Sequence, residues 1–306
     1  MACANCSLPN EVFDYEKAHA KLLDKFNSVS NVLLTYMNEA GLERSERTLK
    51  ALNNALVLER IIGGSNAAKG TYKDCCLIGQ PLPNGMVRWT CTGVLIHPQI
   101  VLTAGHCHQP PKVSAAVIAL SCNDMNDLEK AEILTAKISV ANPKYAQTGF
   151  GDITVIILKK PAELTPPCPI ATTNEITQSE KLLLVGFGNS DFESTKGFGV
   201  KRYVHADIIG MRKNSTENLD LLESKYGFES DLEILAGGEG FDTCNGDSGG
   251  PAYIETHDGN RKLAALTSRA FRGVVKPCGD GGIYTRVDSE MEFISETAKS
   301  YGISLT

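Results

Sequence analysis

The 306-residue sequence has no apolar run approaching the roughly 18 residues of a membrane-spanning helix, so no such helix is expected in it. It has no Lys/Arg-rich block and no basic stretch interleaved with aromatics, and its formal net charge is −6; a nucleic-acid partner is not expected. Internal repeats and low-complexity tracts are also lacking. The opening Met1-Ala2-Cys3-Ala4-Asn5-Cys6-Ser7 carries neither a basic n-region nor an apolar h-region, so no secretory signal is visible. On that reading the chain is expected in the cytoplasm, with its ten cysteines mostly reduced. The alternative is a secreted protein whose leader is not part of this sequence. Only then does the glycosylation sequon Asn214-Ser215-Thr216 matter.

What is present concentrates in residues 242–251, Asp-Thr-Cys-Asn-Gly-Asp-Ser-Gly-Gly-Pro. A serine hydroxyl is a weak nucleophile, so chemistry at Ser248 needs a base beside it and donors aimed at the developing oxyanion. Gly246, Gly249 and Gly250 let the backbone turn sharply and bring its N–H groups close to a carbonyl. Taken alone, the string also fits a tight loop. A candidate base is His106 in Leu-Thr-Ala-Gly-His-Cys, which follows the apolar run Ile100-Val101-Leu102 and so sits at the end of a buried strand. Asp152 precedes Ile153-Thr154-Val155-Ile156-Ile157-Leu158, where an Asp can equally be a strand cap. Chain order separates the readings: His106, Asp152 and Ser248 run His, Asp, Ser, the order of the chymotrypsin triad and not of subtilisins or α/β-hydrolases.

With these residues the sequence resembles the trypsin/chymotrypsin family of serine proteases over roughly residues 61–295. Further matches fall in family order: Ile61-Ile62-Gly63-Gly64 after Arg60, Cys91-Thr92-Gly93, Gly186-Phe187-Gly188, Ser268, and Gly282-Ile283-Tyr284-Thr285-Arg286-Val287. The resemblance implies a mainly β fold of two six-stranded antiparallel β-barrels with a C-terminal helix, and residues 61–306 suffice for it. It implies that Ser248 attacks, His106 carries the proton, Asp152 holds the imidazole, and the N–H groups of Gly246 and Ser248 form the oxyanion hole, with no metal or cofactor.

Asp242, six residues before the nucleophile, falls where the family places the floor of its specificity pocket, which implies cleavage after Arg or Lys. Gly282 fits an open pocket wall. Two positions depart from the pattern: after Ser268 the family usually carries an aromatic and a glycine, whereas this chain has Arg269 and Ala270. A cation at Arg269 predicts subsites tolerant of acidic side chains. The resemblance also makes Arg60 an activation site. The freed amine of Ile61 would pair with Asp247, and the uncut chain would be a zymogen.

Residues 1–60 differ in kind. Apolar residues at Leu22, Phe26, Val29, Leu33 and Ala40 follow helical spacing, and Gly41 can end that helix. Ser45 can cap a second helix with Leu49, Leu52 and Leu56 on one face. This predicted helical hairpin is either a prosegment or a docking region that recruits an activating protease or regulator. From Lys73 onward, short β-rich runs separated by Gly, Pro and Asn are read as strands: 73–78, 87–96, 113–120, 133–140 and 154–158, then 181–187, 202–209, 252–254, 263–267 and 282–287. Residues 211–233 read as a variable helix and loop, and 288–301 as the closing helix. The resemblance pairs Cys91 with Cys107 and Cys244 with Cys278. It gives Cys75, Cys76 and Cys122 no partner, and makes Cys3 or Cys6 conceivable mates for Cys168. The competing functions are a protease domain delivered to an effector assembly by residues 1–60 acting as adaptor, and a protease homologue without catalysis used as a binding scaffold.

Overall fold

Short β-branched runs dominate the chain after residue 63. The first strands are β1 (Ser65–Asn66), β2 (Cys75–Pro81), β3 (Val87–His97), β4 (Ile100–Thr103), β5 (Val117–Leu120), β6 (Glu132–Ala141) and β7 (Thr154–Leu158). These are followed by β8 (Lys181–Gly186), β9 (Arg202–Gly210), β10 (Glu233–Ala236), β11 (Pro251–Glu255), β12 (Arg261–Ala270) and β13 (Gly282–Arg286). The structure is a computed structural model that describes residues 63–108, 116–191, 194–212, 219–238, 240–256, 259–274 and 278–305. The chain divides into units 1–56 and 57–306, and the described residues belong to the second. The expected helical hairpin, Cys3, Cys6, Arg60 and Ile61 lie outside them.

Six strands in the order β2-β3-β4-β7-β6-β5 close into an antiparallel barrel. A second ring, β9-β10-β13-β12-β11-β8, closes through the β8–β9 pairing, and β1 adds to the outside of β9. Period-two alternation assigns side chains to one core or the other. In β7, Ile156 and Leu158 join Ile78, Leu95 and Val101 inside the first barrel. Val155 and Ile157 face the other way, into a cluster that also holds Leu183, Val185 and Tyr253 of the second barrel. Leu182 and Leu184, their neighbours on β8, turn into the second barrel with Ile254 and Tyr284. The shared cluster therefore cements barrel to barrel, with about 1.5–3 kcal/mol for each large aliphatic side chain removed from water.

A polar clamp crosses the same seam. Asp74, buried just before β2, accepts from the Tyr253 hydroxyl of β11 at 2.5 Å and pairs with Arg261 of β12. The Arg261 guanidinium lies 5.2 Å from the centroids of both Tyr72 and Tyr253.

Four helices complete the described part: α1 (Pro143–Thr148), α2 (Thr173–Gln178), α3 (Asp220–Tyr226) and α4 (Met291–Ser300). Asn142 caps α1 through Lys144 N, and Thr172 and Glu175 form a capping box on α2. α4 drops Ile294 and Ala298 into the inter-barrel cluster. β4 is the buried strand expected before His106, while β1 and β10 emerge where no strand was expected. β10 carries Glu233, which matters below.

Candidate active site

The loops that meet between the barrels carry the triad candidates. β4 ends at Thr103, and a single 3-10 turn, Gly105–Cys107, presents His106. Asp152 lies just before β7 and is buried, so its carboxylate needs donors. It has three: the His106 backbone N–H at 2.8 Å, His106 Nδ1 at 2.8 Å, and the Ser268 hydroxyl at 2.6 Å. Burial pushes this carboxyl up, but the bonds from His106 and Ser268 outweigh it and hold it below the ordinary range. An ionised Asp152 fixes the tautomer. Nδ1 must carry the proton, which leaves Nε2 as the basic nitrogen on the exposed edge of the ring.

Ser248 is half-buried in the turn between Cys244 and Pro251. Its carbonyl accepts from Thr92 N of β3 at 3.0 Å, and Thr92 Oγ1 donates to the Gly246 carbonyl at 2.8 Å. Next to Thr92, Cys91 is disulfide-bonded to Cys107, the residue after His106. One strand thus holds both the serine turn and the histidine turn. Gly249 packs against the end of β4 so closely that a Cβ there would sit 2.1 Å from Thr103 Oγ1. The N–H groups of Asp247, Gly249 and Gly250 are used by carbonyls of Cys244, Thr267 and Asp247. Among the described residues, no hydrogen bond claims the N–H of Gly246 or Ser248. Gly246 has φ +101°, a conformation that suits glycine.

Beside Ser248 opens a cavity of about 90 Å³, lined by Asp242, Ser268, Arg269, Ala270 and Gly282 among others. Asp242 is buried at its base and accepts from the N–H groups of Thr243 (2.7 Å), Gly279 (2.9 Å) and Gly281 (3.1 Å). Burial nevertheless pushes its carboxyl up to about 6. A Cβ at Gly282 would stand 3.3 Å from Asp242 Oδ1, in the space above the carboxylate. The second disulfide, Cys244–Cys278, staples the two sides of this pocket. A larger groove of about 690 Å³ on the second barrel contains none of these residues.

Behind the serine turn, Asp247 is fully buried and accepts from Gly188 N at 2.7 Å and Cys244 N at 2.8 Å. Burial pushes it up to about 7. Among the described residues it has no ion pair. Gly186 and Gly188 cradle it: a Cβ at either would lie 2.1 or 2.5 Å from its oxygens.

Arg269 does not stand as the free cation expected from the sequence. Both its terminal nitrogens meet Glu233, Nη1 on Oε1 at 2.5 Å and Nη2 on Oε2 at 2.9 Å. Glu233 is fully buried. The charge expected to read acidic side chains is paired from within the chain by a buried carboxylate. Ala270 is exposed at the rim. Sequence reasoning missed Glu233 because its partner is 36 residues away; an acid opening the apolar strand Glu-Ile-Leu-Ala was the available signal. Among the described residues Cys75, Cys76, Cys122 and Cys168 are free and buried; the conceivable mates of Cys168, Cys3 and Cys6, lie outside them.

Two barrels with a His–Asp pair from one and a serine turn from the other define a chymotrypsin-like serine protease architecture. Comparison with known families agrees: residues 61–294 match the trypsin family, and this chain belongs to it. Its relatives include CLIP domain-containing serine protease C9 of Anopheles gambiae, 26% identical over 79% of this chain and 69% of that protein. Phenoloxidase-activating factor 3 of Holotrichia diomphalia is 24% identical over 78% and 73% of the two chains. Glucanase inhibitor protein 1 of Phytophthora sojae is 29% identical over 68% and 78%. A relative named as an inhibitor shows that family membership alone does not decide activity; the site has to.

Proposed function

We propose that this chain is a serine endopeptidase that cleaves protein substrates after Arg or Lys, made as a zymogen and activated by cleavage after Arg60 in a regulated proteolytic response. The observation that carries the reading is the His106–Asp152–Ser268 hydrogen-bond set beside Ser248, with buried Asp242 at the base of the adjoining cavity. Ser248 Oγ attacks the scissile carbonyl carbon while its proton passes to His106 Nε2. The resulting oxyanion takes the two unclaimed N–H groups of Gly246 and Ser248. His106 then gives the proton to the leaving amine, and water repeats the sequence to release the acyl group. Asp152 stays ionised throughout. A substrate cation in the pocket offsets the desolvation that raises the Asp242 carboxyl, whereas an apolar side chain leaves that carboxyl uncompensated.

Serine-directed phosphonate should label processed protein and not its Ser248→Ala variant, which should also lose peptidase activity. Asp242→Ser should cost orders of magnitude on Arg and Lys substrates. Labelling that survives Ser248→Ala, or a profile led by aromatic residues, overturns the reading.

Zymogen control is supported by Asp247, a buried carboxyl that burial pushes up to about 7 although the Arg202 guanidinium draws it down, and that forms no salt bridge among the described residues. A new amine at Ile61 would supply one, with its pKa raised above the ordinary ~8. The contribution of that pair is full below the unpaired value and fades as pH climbs through the raised one, so processed enzyme should lose activity reversibly at alkaline pH. Intact Arg60→Gln protein should be nearly inactive beside the processed wild type. Equal rates would remove residues 1–60 from any activating role.

The names of two relatives, a CLIP-domain serine protease and a phenoloxidase-activating factor, support a place in a proteolytic cascade. Partners at residues 1–60, an activator or a regulator, belong to the same proposal.

A further inference from the structure

The inference rests on the peptidase reading above and concerns what Arg269 does there. Its four terminal N–H hydrogens have four acceptors: Glu233 Oε1 and Oε2, the Gly227 carbonyl at 3.1 Å, and the Ser268 hydroxyl at 3.4 Å. Glu233 is held in turn, with Oε2 accepting from Glu229 N at 3.0 Å and its backbone paired opposite Thr285 of β13. The guanidinium also lies 5.9 Å from the ring centroid of Phe150, two residues before Asp152 on the other barrel. A hydroxyl has one proton to give. With Ser268 Oγ accepting from Arg269 Nη1, its single proton is directed to Asp152 Oδ2, 2.6 Å away.

We propose that the Glu233–Arg269 pair is a positioning device for the triad: Arg269 fixes the Ser268 hydroxyl as a donor to Asp152, and Glu233 anchors Arg269 for that task instead of leaving it to read acidic substrates. The chain of contacts runs Glu233, Arg269, Ser268, Asp152, His106, from the floor of the second barrel to the base. Each link is a hydrogen bond whose donor is fixed by the chemistry of the partners, and such linked sets respond as a unit. The ionisable groups around Asp152 are His106 from the 3-10 turn, Tyr145 from α1, Arg269 from β12 and Glu233 behind it from β10. Burial raises the Tyr145 hydroxyl, so it remains neutral wherever His106 titrates.

Arg269→Met keeps the stem but removes the donor and the charge. Asp152 loses a fixed hydrogen bond, its negative charge falls more heavily on the imidazole, and His106 should bind its proton more tightly. Glu233→Gln keeps Arg269 as donor, removes the anion behind it, and should move His106 the opposite way. Shifts of about half a pH unit are expected for interactions relayed over this distance at intermediate dielectric.

The experiment is an NMR titration of His106 in Ser248→Ala protein, which needs no catalysis, alongside kcat and KM of the corresponding active variants. Arg269→Met should raise the His106 midpoint and lower kcat several-fold with little change in KM for short substrates. Glu233→Gln should lower the midpoint. In a Ser268→Ala background, Arg269→Met should lose more than half of its effect, because the intermediate link is gone. An unchanged midpoint in Arg269→Met overturns the proposal, and so does an equal shift with and without Ser268, which would make Arg269 a distant charge only. Fully additive losses of kcat do the same. If the midpoints behave as stated while wild type neither hydrolyses peptides nor takes the phosphonate, the peptidase reading fails and the coupling stands. Arg269→Lys provides the conservative check: it keeps the charge but cannot serve both Glu233 oxygens and Ser268 in one plane, so it should restore the midpoint only in part.

Discussion

At the scale of single residues, Asp242 shows how a binding site is set against stability. Its carboxyl is pushed up to about 6 by burial although three backbone N–H groups face it. A raised carboxyl holds its proton more tightly in the folded chain than in the unfolded one. Stability therefore declines as pH rises from the unfolded value near ~4 through about 6, and the ionised pocket carries that cost at neutral pH. Asp242→Asn should raise the melting temperature at pH 8, by up to about 3 kcal/mol of stability, and leave it nearly unchanged at pH 3. Binding of benzamidine, a cation that draws the carboxyl back down, should release a proton near pH 6 and weaken steeply below it. Calorimetry in buffers of different ionisation enthalpy measures the released proton. A binding constant flat from pH 8 to 4 would show that the carboxylate is ionised without help.

At the scale of elements, the site depends on places where two chains pass with no room between them. Gly186, the last residue of β8, faces Asp247 so closely that an added methyl would meet Oδ1 at 2.1 Å. Gly186→Ala should displace Asp247 and cost about 1–3 kcal/mol by overpacking, read by urea unfolding, together with most of the peptidase activity. Full activity in that variant would mean that Asp247 moves without consequence for the serine turn.

The same elements show what the sequence discloses. β7 occupies the residues expected, Thr154–Leu158, because five consecutive apolar and β-branched side chains are buried on both faces. β9 runs one residue past its expected end, and α4 begins three residues late, after a 3-10 turn at Asp288–Glu290. β10 escaped notice because four residues carry too little periodicity to separate a strand from the end of a polar loop. His106, Asp152 and Ser248 were legible through their chain order and the motifs around them, and Ser268 through the family resemblance. Glu233 was not, since its meaning lies in a partner brought to it only when β10 and β12 flank β13.

At the scale of the molecule, two barrels must hold one cleft in register, and the fold does this with an apolar cluster and the Asp74–Tyr253–Arg261 clamp. Removing one member of a buried pair commonly costs about 3–5 kcal/mol. Arg261 is partly exposed and can recover water, so Asp74→Asn should cost less, roughly 1–3 kcal/mol, as a lowered urea midpoint. A neutral result would assign the cohesion of the barrels to the apolar cluster alone. Whatever loosens the seam should lower kcat before the protein unfolds, since His106 and Ser248 stand on opposite sides of it.

Among the described residues four free cysteines sit in the same interior. Cys75 and Cys76 share a strand of the first barrel, facing the seam and the barrel interior respectively, while Cys122 and Cys168 belong to the seam cluster. Burial pushes all four thiols up, Cys168 to about 12, so none offers a thiolate to an oxidant or alkylating agent while the protein is closed. They act as a memory of opening. A molecule that has breathed at the seam can be trapped by a chemical mark on Cys122 or Cys168, and one whose first barrel has come apart by a mark on Cys76. The order in which those marks accumulate is the order in which the protein comes undone.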